Sequence, residues 1–298
     1  MKEIAIISGK GGTGKTSITA AIASLVKNVV VADCDVDGAD LHMLLESKKR
    51  YAKPFLGGKV AYIRNNDCTS CGKCIEVCRF GAITDDFHVK DVGCEGCGVC
   101  VHFCPVKAID FPISDCGDLV VSDCSCGTMV HGHLNPGAEN SGKLATFVRE
   151  EAQSIVSKLN SESTSDSAID YLLIDGPPGI GCPVIATVTG VDLVCAVTEP
   201  SIAAKHDLER LMSLCSHFKV PVAVIVNKWD INKTLTKQIE EYVISRGGTS
   251  VGRVSWSKDF RDAQMEGKPV TSYRGSICAL QVEKIWANIQ NLLDSTSK

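Results

Sequence analysis

Continuous runs of Val, Ile and Ala alternate along this 298-residue chain with stretches whose apolar positions recur at helical spacing. The apolar runs predict strands at residues 3–8, 29–33, 171–175, 193–198 and 222–227. Runs that are apolar on both faces are typical of parallel strands covered by helices on both sides. The periodic stretches predict helices at residues 15–27, 143–159, 180–189, 202–218, 235–246 and 277–293. This order predicts an α/β fold with a parallel sheet wrapped by helices.

The alternation stops between about residues 57 and 140, in a stretch that is rich in Cys, Gly and Asp. No long helix is predicted there, so we interpret it as a small α+β domain inserted into a loop of the larger domain. The expected bounds are 1–57 and 141–298 for the larger domain, 58–112 for the insert and 113–140 for a return segment. The polar stretch 160–168 is predicted to be a loop.

Composition excludes several classes of protein. A chain with 44% hydrophobic and 22% charged residues is globular, and its length favours about two domains. The net charge of −4 argues against a nucleic-acid binder. No apolar run is long enough to span a membrane, and the N-terminus lacks the features of a signal peptide, so we expect a cytoplasmic protein without stable membrane insertion.

A glycine-rich loop joins the first predicted strand to the first predicted helix. It fits the pattern G-x-x-x-x-G-K-[ST] of a phosphate-binding loop, with Ser17 as the next residue. The loop residues are Gly9, Lys10, Gly11, Gly12, Thr13, Gly14, Lys15 and Thr16. Lys15 is predicted to reach the β- and γ-phosphates of ATP, and Thr16 to bind Mg²⁺. The alternative is a glycine-rich turn that arose by chance.

Lys10 is a second lysine inside this loop. With the string K-G-G-T-G-K-T, the sequence resembles the MinD/ParA family of deviant Walker ATPases, whose relatives include the nitrogenase iron protein and Mrp-type Fe–S scaffold proteins. The resemblance implies a P-loop NTPase fold and an ATP-dependent homodimer in which Lys10 reaches the partner's nucleotide. The alternative is a solvated loop lysine.

Carboxylates that follow the second predicted strand match the family's first switch. By resemblance Asp35 orients the attacking water and Asp33 supports the metal shell. Asp37 and Asp40 also lie in this segment, so the choice among the four acids stays open.

The resemblance continues at two further strand ends. Asp175 begins a D-G-P-P-G segment like the family's second switch, which implies that Asp175 holds Mg²⁺ through water and that the N–H of Gly179 senses the γ-phosphate. Asn227 and Lys228 match the position at which the family reads adenine. A turn residue at a strand end is the alternative for Asn227.

Eight of the 16 cysteines lie between residues 68 and 104, in two C-x2-C-x2-C-x3-C runs that resemble a bacterial ferredoxin. In such runs the fourth cysteine binds the other cluster. One [4Fe–4S] cluster is therefore expected on Cys68, Cys71, Cys74 and Cys104, and a second on Cys94, Cys97, Cys100 and Cys78. Zinc is the competing metal, but zinc sites pair two C-x2-C elements. Arg79 stands where the motif usually has proline.

Three further cysteines follow the runs, at Cys116, Cys124 and Cys126. Together with His131 and His133 they suggest a labile extra metal site, and the alternative is that they are ordinary small residues.

An ATP site and two redox clusters on one chain predict an ATPase that couples dimerisation to its clusters. We expect metallocluster assembly or ATP-gated electron delivery, with a metalloprotein or redox acceptor as partner. The alternative is a MinD-like spatial organiser or regulatory ATPase whose clusters act as a redox sensor.

Overall fold

The computed structural model describes residues 1–90, 93–136, 138, 141–163 and 168–296. Its strands are β1 (Lys2–Ser8), β2 (Val29–Asp33), β3 (Lys48–Pro54), β4 (Gly58–Lys59), β5 (Tyr62–Ile63), β6 (Ile109–Asp110), β7 (Ile113–Ser114), β8 (Gly117–Cys124), β9 (Gly127–Leu134), β10 (Tyr171–Pro178), β11 (Leu193–Thr198), β12 (Val222–Asn227) and β13 (Thr249–Val254). Its α-helices are α1 (Lys15–Leu25), α2 (Leu41–Leu44), α3 (Lys73–Val77), α4 (Val99–Phe103), α5 (Ser141–Glu162), α6 (Cys182–Val188), α7 (Ile202–His217), α8 (Lys233–Ser245), α9 (Lys258–Met265) and α10 (Ile277–Thr296).

A nine-stranded sheet dominates the part of the chain that the structure describes, in the order β13-β12-β11-β1-β10-β2-β9-β8-β3. Strands β13 to β9 of this order run parallel, with β1 between β10 and β11. The parallel α/β fold and all five predicted strands are therefore confirmed. Parallel strands end at one edge of the sheet, and ligands of such folds bind outside these carboxyl ends.

Four strands of this sheet were not predicted, namely β3, β8, β9 and β13. Strands β8, β9 and β13 mix exposed and buried positions, and β3 has no buried position. None of the four therefore has the continuous apolar run used to recognise the others. Residues 113–140 were interpreted as a return segment, and two strands of the sheet, β8 and β9, lie within them. Strands β8 and β9 form a hairpin, and β9 pairs with β2 over five residues, because Met129 and Val130 continue the buried core.

The chain divides into two compact units. The larger contains residues 1–52, 119–132 and 142–298, and the smaller contains residues 53–118 and 133–141. The predicted insert, 58–112, thus lies within the smaller unit, whose bounds are wider than predicted. Asn140, at the predicted end of the return segment, and residues 164–167 of the predicted loop 160–168 lie outside the described residues.

The larger unit has a core of Ile, Leu, Val and Ala between the sheet and its helices. Helix α10 contributes Val282, Ile285 and Ile289 to this core, which explains its helical apolar period. Among the described residues, no helix combines the length and apolar character needed to cross a membrane.

Candidate functional site

The glycine-rich loop leaves β1 at the carboxyl edge of the sheet and leads into α1. Gly12 and Gly14 have φ values of 80° and 88°, a left-handed conformation that L-residues avoid. A Cβ on Gly14 would lie 2.4 Å from Nδ2 of Asn227, so only glycine fits there. The loop therefore turns its backbone into α1 at the point where helix N-terminal N–H groups favour anions.

Asp175, on β10, is the centre of a buried hydrogen-bond network beneath the loop. Its Oδ2 accepts from Lys15 Nζ at 2.7 Å and from Thr16 Oγ1 at 2.9 Å. Its Oδ1 accepts from Thr19 Oγ1 at 2.6 Å. The structure thus brings together Lys15, Thr16 and Asp175, all predicted from the sequence. Thr19 was missed, although it lies one helical turn after Lys15.

Two further carboxylates of the first switch segment lie close to this network. Asp35 Oδ2 is 3.4 Å from Lys15 Nζ, and buried Asp33 accepts from the backbone N–H groups of Asp35 and Leu41. Burial, then the charge of Asp175, raises the pKa of Asp33 well above its usual range. Burial also raises the pKa of Asp35, against the lowering effect of Lys15. The edge therefore holds more carboxylate than its buried lysine neutralises, as a magnesium site requires.

The ammonium group of Lys15 remains charged in this setting. Burial by itself lowers the pKa of Lys15, but Asp175 and then Asp35 more than offset it, so the pKa lies above the ordinary value. A charged lysine under the loop is suited to phosphate oxygens.

Lys10 pairs with a residue that sequence reasoning missed, Glu199, which directly follows β11. Lys10 Nζ lies 2.7 Å from Glu199 Oε1, and Lys228 Nζ lies 3.0 Å from Oε2. Lys228 Nζ also donates to the carbonyl oxygen of Gly12. Burial raises the pKa of Glu199, but hydrogen bonds from the two lysines bring it below its ordinary value. Strand β11 is the neighbour of β1, which places Glu199 beside the loop.

Three other predicted residues form hydrogen bonds with residues of the same chain. Asn227 Nδ2 donates to the carbonyl of Thr13 at 2.7 Å, which fixes Asn227 beside the loop. The N–H of Gly179 donates to the carbonyl of Ser8 at 2.9 Å, so in this arrangement it is not directed at a ligand. Ser17 Oγ accepts from Gln264. Asn227, Lys228, Ser17 and Gln264 line one open cleft next to the loop.

The eight cysteines of the two runs line two separate cavities of the smaller unit. One cavity is lined by Cys68, Cys71, Cys74 and Cys104, and the other by Cys78, Cys94, Cys97 and Cys100. The rest of each lining is mainly apolar residues and glycine.

The two runs fold alike. Gly72 and Gly98 each follow the second cysteine of a run in the left-handed conformation, with φ of 73° and 71°. Helices α3 and α4 begin directly after these glycines and carry the third cysteine, Cys74 or Cys100. Each run thus presents three thiols around one cavity and carries its fourth to the other.

The metal-binding groups around the two cavities are mainly cysteine thiols. Within the described residues, no group of three or more His, Cys, Asp or Glu side chains is close enough to bind one ion. Four cysteine thiols are also the ligand set of a [4Fe–4S] cluster, in which the cysteines bind different irons. The suggested extra metal site around Cys116 likewise finds no such group in the described chain.

The chain is similar to known proteins over most of its length. The profile described as "CobQ/CobB/MinD/ParA nucleotide binding domain" matches residues 4–270. An uncharacterised protein of Methanocaldococcus jannaschii is 35% identical over 233 residues, which are 77% of this chain and 79% of that protein. The septum site-determining protein MinD of Bacillus subtilis is 26% identical over 278 residues, 90% of this chain and 81% of the relative.

Solved structures agree in fold. The Pyrococcus furiosus cell division ATPase MinD has a TM-score of 0.56 at 16% identity, over 98% of this chain and 99% of that one. MinD of Aquifex aeolicus, solved in complex with MinC, has a TM-score of 0.57 at 17% identity, over 98% and 96% of the two chains. With the profile match covering most of the sequence, the chain belongs to the CobQ/CobB/MinD/ParA family of nucleotide-binding domains.

Proposed function

We propose that this protein is a MinD-like ATPase that binds MgATP at the glycine-rich loop. The observation that carries the proposal is the network of Lys15, Thr16 and Asp175 beneath that loop, with bonds of 2.7 and 2.9 Å. In P-loop enzymes a lysine, a hydroxyl and a carboxylate so arranged bind phosphate and Mg²⁺. MinD of Pyrococcus horikoshii, which has the same fold at a TM-score of 0.56 and 16% identity, was solved with Mg-ADP.

Each residue then has a defined role. Lys15 holds the β- and γ-phosphates, Thr16 is a ligand of Mg²⁺, and Asp175 holds the ion through water. Asp35 positions the attacking water, because it lies at the mouth of the site, 3.4 Å from Lys15. Asp33 orients the segment that carries Asp35 through the two backbone N–H groups that it accepts.

The remaining predicted residues surround the nucleotide. Gly9, Gly11, Gly12 and Thr13 contribute backbone around the phosphates, Ser17 lies at the start of α1, and Asn227 with Lys228 faces the adenine end of the cleft. Gly179 exchanges its bond to Ser8 for the γ-phosphate when ATP binds.

Lys10 acts in an ATP-dependent homodimer. The side chain of Lys10 is about one-third exposed, and its partner Glu199 is partly exposed. The lysine can therefore leave Glu199 and bind a phosphate of a second subunit. Two such lysines would neutralise charge at the place where phosphates and carboxylates are densest.

The smaller unit is proposed to hold two [4Fe–4S] clusters on the two sets of four cysteines. The support is the separation of the eight thiols into two cavities, each with the ligands that the ferredoxin spacing assigns to one cluster. When bound, such clusters supply one-electron chemistry. The polypeptide contributes the thiol donors and an apolar lining that limits the access of water.

Of the functions considered, the comparisons favour a MinD-like spatial organiser or regulatory ATPase. The characterised relatives are septum site-determining proteins. In this function the clusters act as a redox sensor. Metallocluster assembly and electron delivery to a metalloprotein have no support from these relatives, and they depend on the cysteine cavities alone.

Two variants test the ATPase. Lys15→Ala should nearly abolish ATP binding, whereas Asp35→Ala should bind ATP without cleaving it, measured by fluorescent-nucleotide anisotropy and phosphate release. Equal loss of binding in both variants would contradict the role of Asp35. By light scattering, Asp35→Ala with ATP should be a dimer, and the further change Lys10→Ala should return it to a monomer that still binds nucleotide.

Analysis of anaerobically purified protein tests the clusters. About eight iron and eight sulfide per chain are expected. The matched pair Cys97→Ser and Cys182→Ser compares a predicted ligand with an exposed cysteine outside both runs. Only the first should lower the iron content. Stoichiometric zinc without iron would contradict the assignment, and an electron paramagnetic resonance spectrum that ATP does not change would contradict the coupling.

A further inference from the structure

Cys124 and Cys126 form a close pair of thiols at the tip of the β8–β9 hairpin, in the larger unit. Their sulfur atoms are 3.2 Å apart, and neither side chain is fully buried. The hairpin turn between the two strands consists of Ser125 and Cys126. A dithiol this close has only to lose two hydrogens to become a disulfide.

The hairpin tip is held in place by the rest of the larger unit. The N–H and the hydroxyl of Ser125 both donate to the carbonyl oxygen of Leu45, at 2.9 and 3.1 Å. Both cysteines pack against the hydrophobic core of this unit. The hydrogen bonds of Ser125 and the packing of both cysteines thus hold the hairpin tip that brings the two sulfur atoms together.

The surroundings of Cys124 stabilise a thiolate. A hydrogen bond from the Cys126 thiol, together with the backbone N–H groups of Cys126 and Gly127, lowers the pKa of Cys124 to about 7, although burial opposes this. The same hydrogen bond and burial raise the pKa of Cys126. One thiolate and one thiol at neutral pH is the combination that thiol–disulfide exchange requires.

Two buried thiols of the larger unit provide a contrast. Burial raises the pKa of Cys195 to about 12 and that of Cys215 to about 11. Buried thiols of this kind are inert toward disulfides.

We propose that Cys124 and Cys126 are a thiol–disulfide exchange site whose co-substrate is a small disulfide such as glutathione disulfide. The Cys124 thiolate attacks one sulfur of the small disulfide, which forms a mixed disulfide and releases one small thiolate. The charge on Cys124 is then gone, so Cys126 loses its proton to water more easily. Its thiolate attacks the Cys124 sulfur, closes the Cys124–Cys126 bond and releases the second small thiolate. The protein loses two electrons, and the small disulfide gains them.

The ring that closes contains one intervening residue, so this disulfide is strained. Strained disulfides have more oxidising potentials than structural ones and are readily reduced. We therefore expect reversible oxidation in buffers that contain both forms of glutathione.

Mass spectrometry of the full chain tests the proposal. The protein is equilibrated anaerobically with reduced and oxidised glutathione, quenched in acid, alkylated and digested with trypsin. Residues 108–143 contain no internal Lys or Arg, so one peptide carries Cys116, Cys124 and Cys126. The expected product has lost two hydrogens and carries a single alkyl group, on Cys116. Excess reduced glutathione should restore the triply alkylated peptide.

Variants separate the pair from its neighbour. Cys116→Ser is the matched control and should still form the internal disulfide. Cys126→Ser should stop at the mixed disulfide of Cys124 with glutathione, and Cys124→Ser should react more slowly with glutathione disulfide than Cys126→Ser does. The proposal is overturned if both thiols of the wild-type chain remain alkylatable in oxidised glutathione, or if Cys116 replaces either of them in the disulfide. The initial alkylation rate of Cys124 should have its pH midpoint near 7, and a midpoint above 9 would also overturn it.

Discussion

Thr19→Val removes one hydroxyl from the centre of the site and leaves the volume of the side chain almost unchanged. Thr19 is fully buried, and its Oγ1 donates to Asp175 Oδ1 at 2.6 Å. Lys15 and Thr16 both donate to the other oxygen, Oδ2, so Thr19 is the donor to Oδ1 within the described part of the chain. The change therefore leaves a buried carboxylate oxygen without its short hydrogen bond.

The expected cost follows from the charge of the acceptor. A hydrogen bond to a charged group contributes about 1.5–3 kcal/mol to stability, and we expect Thr19→Val to lower the free energy of unfolding by about 2 kcal/mol. Thr187→Val is the matched control. Thr187 is equally buried, but its hydroxyl donates to a neutral carbonyl, that of Pro183, one turn back in α6. That change should cost about 1 kcal/mol or less.

Urea denaturation without nucleotide, followed by tryptophan fluorescence, measures both variants. Trp229, Trp256 and Trp286 all lie in the larger unit, so the signal reports on the unit that contains the site. The urea midpoint of Thr19→Val should fall by clearly more than that of Thr187→Val, with an unchanged dependence on urea concentration. Equal midpoints for the two variants would refute the argument that the Asp175 side chain depends on its hydrogen bond from Thr19.

Two further predictions concern the loop and the carboxylates. Gly14→Ala should lose ATP binding and destabilise the chain by at least about 1 kcal/mol, because the φ of Gly14 is +88° and a Cβ there would lie 2.4 Å from Asn227. The control Gly11→Ala has open space around its Cβ and should fold normally. Calorimetric titration with ATP and thermal melts compare the two variants, and a normal affinity in Gly14→Ala would contradict the geometry. The raised pKa of Asp33 means that the folded chain binds its proton more tightly than the unfolded chain, so the contribution of Asp33 to stability is full below about pH 4 and is lost as the pH rises. Asp33→Asn should therefore gain stability relative to wild type between pH 4 and 7 in urea titrations, and a constant difference between the two over this range would contradict the shift.

The parts of the site that lie in local motifs were predictable from the sequence. The loop pattern names Lys15 and Thr16 directly, and a carboxylate at the end of a buried strand names Asp175. Thr19 and Glu199 were not predicted, because their roles come from contacts with residues far away in the sequence. Glu199 follows β11, and only the strand order places that strand beside β1.

The strands that were missed show a limit of the apolar-run criterion. Five strands were recognised because both of their faces are buried. In β9, residues Gly127, His131 and His133 interrupt the apolar run, yet the strand pairs with β2 and continues the core through Met129 and Val130. Because β9 follows a cysteine-rich stretch in the sequence, we interpreted it as part of a return segment.

Four of the groups that the proposed ATPase needs are already engaged within the chain. Lys15 and Thr16 donate to Asp175, Lys10 is paired with Glu199, and the N–H of Gly179 donates to the carbonyl of Ser8. ATP binding would therefore exchange hydrogen bonds instead of adding new ones, and the net gain from each exchange is small. The acidic partners left behind are Asp175, which loses its lysine, and Glu199, which keeps Lys228. A buried carboxylate without its cation is costly. Mg²⁺ can neutralise the charge of Asp175. Lys10 of a second subunit can neutralise the phosphates bound in the first, because each Lys10 is proposed to act on the nucleotide of its partner. The proposed metal dependence and the proposed dimerisation would then have one common origin, namely the excess of carboxylates over cations at this edge of the sheet.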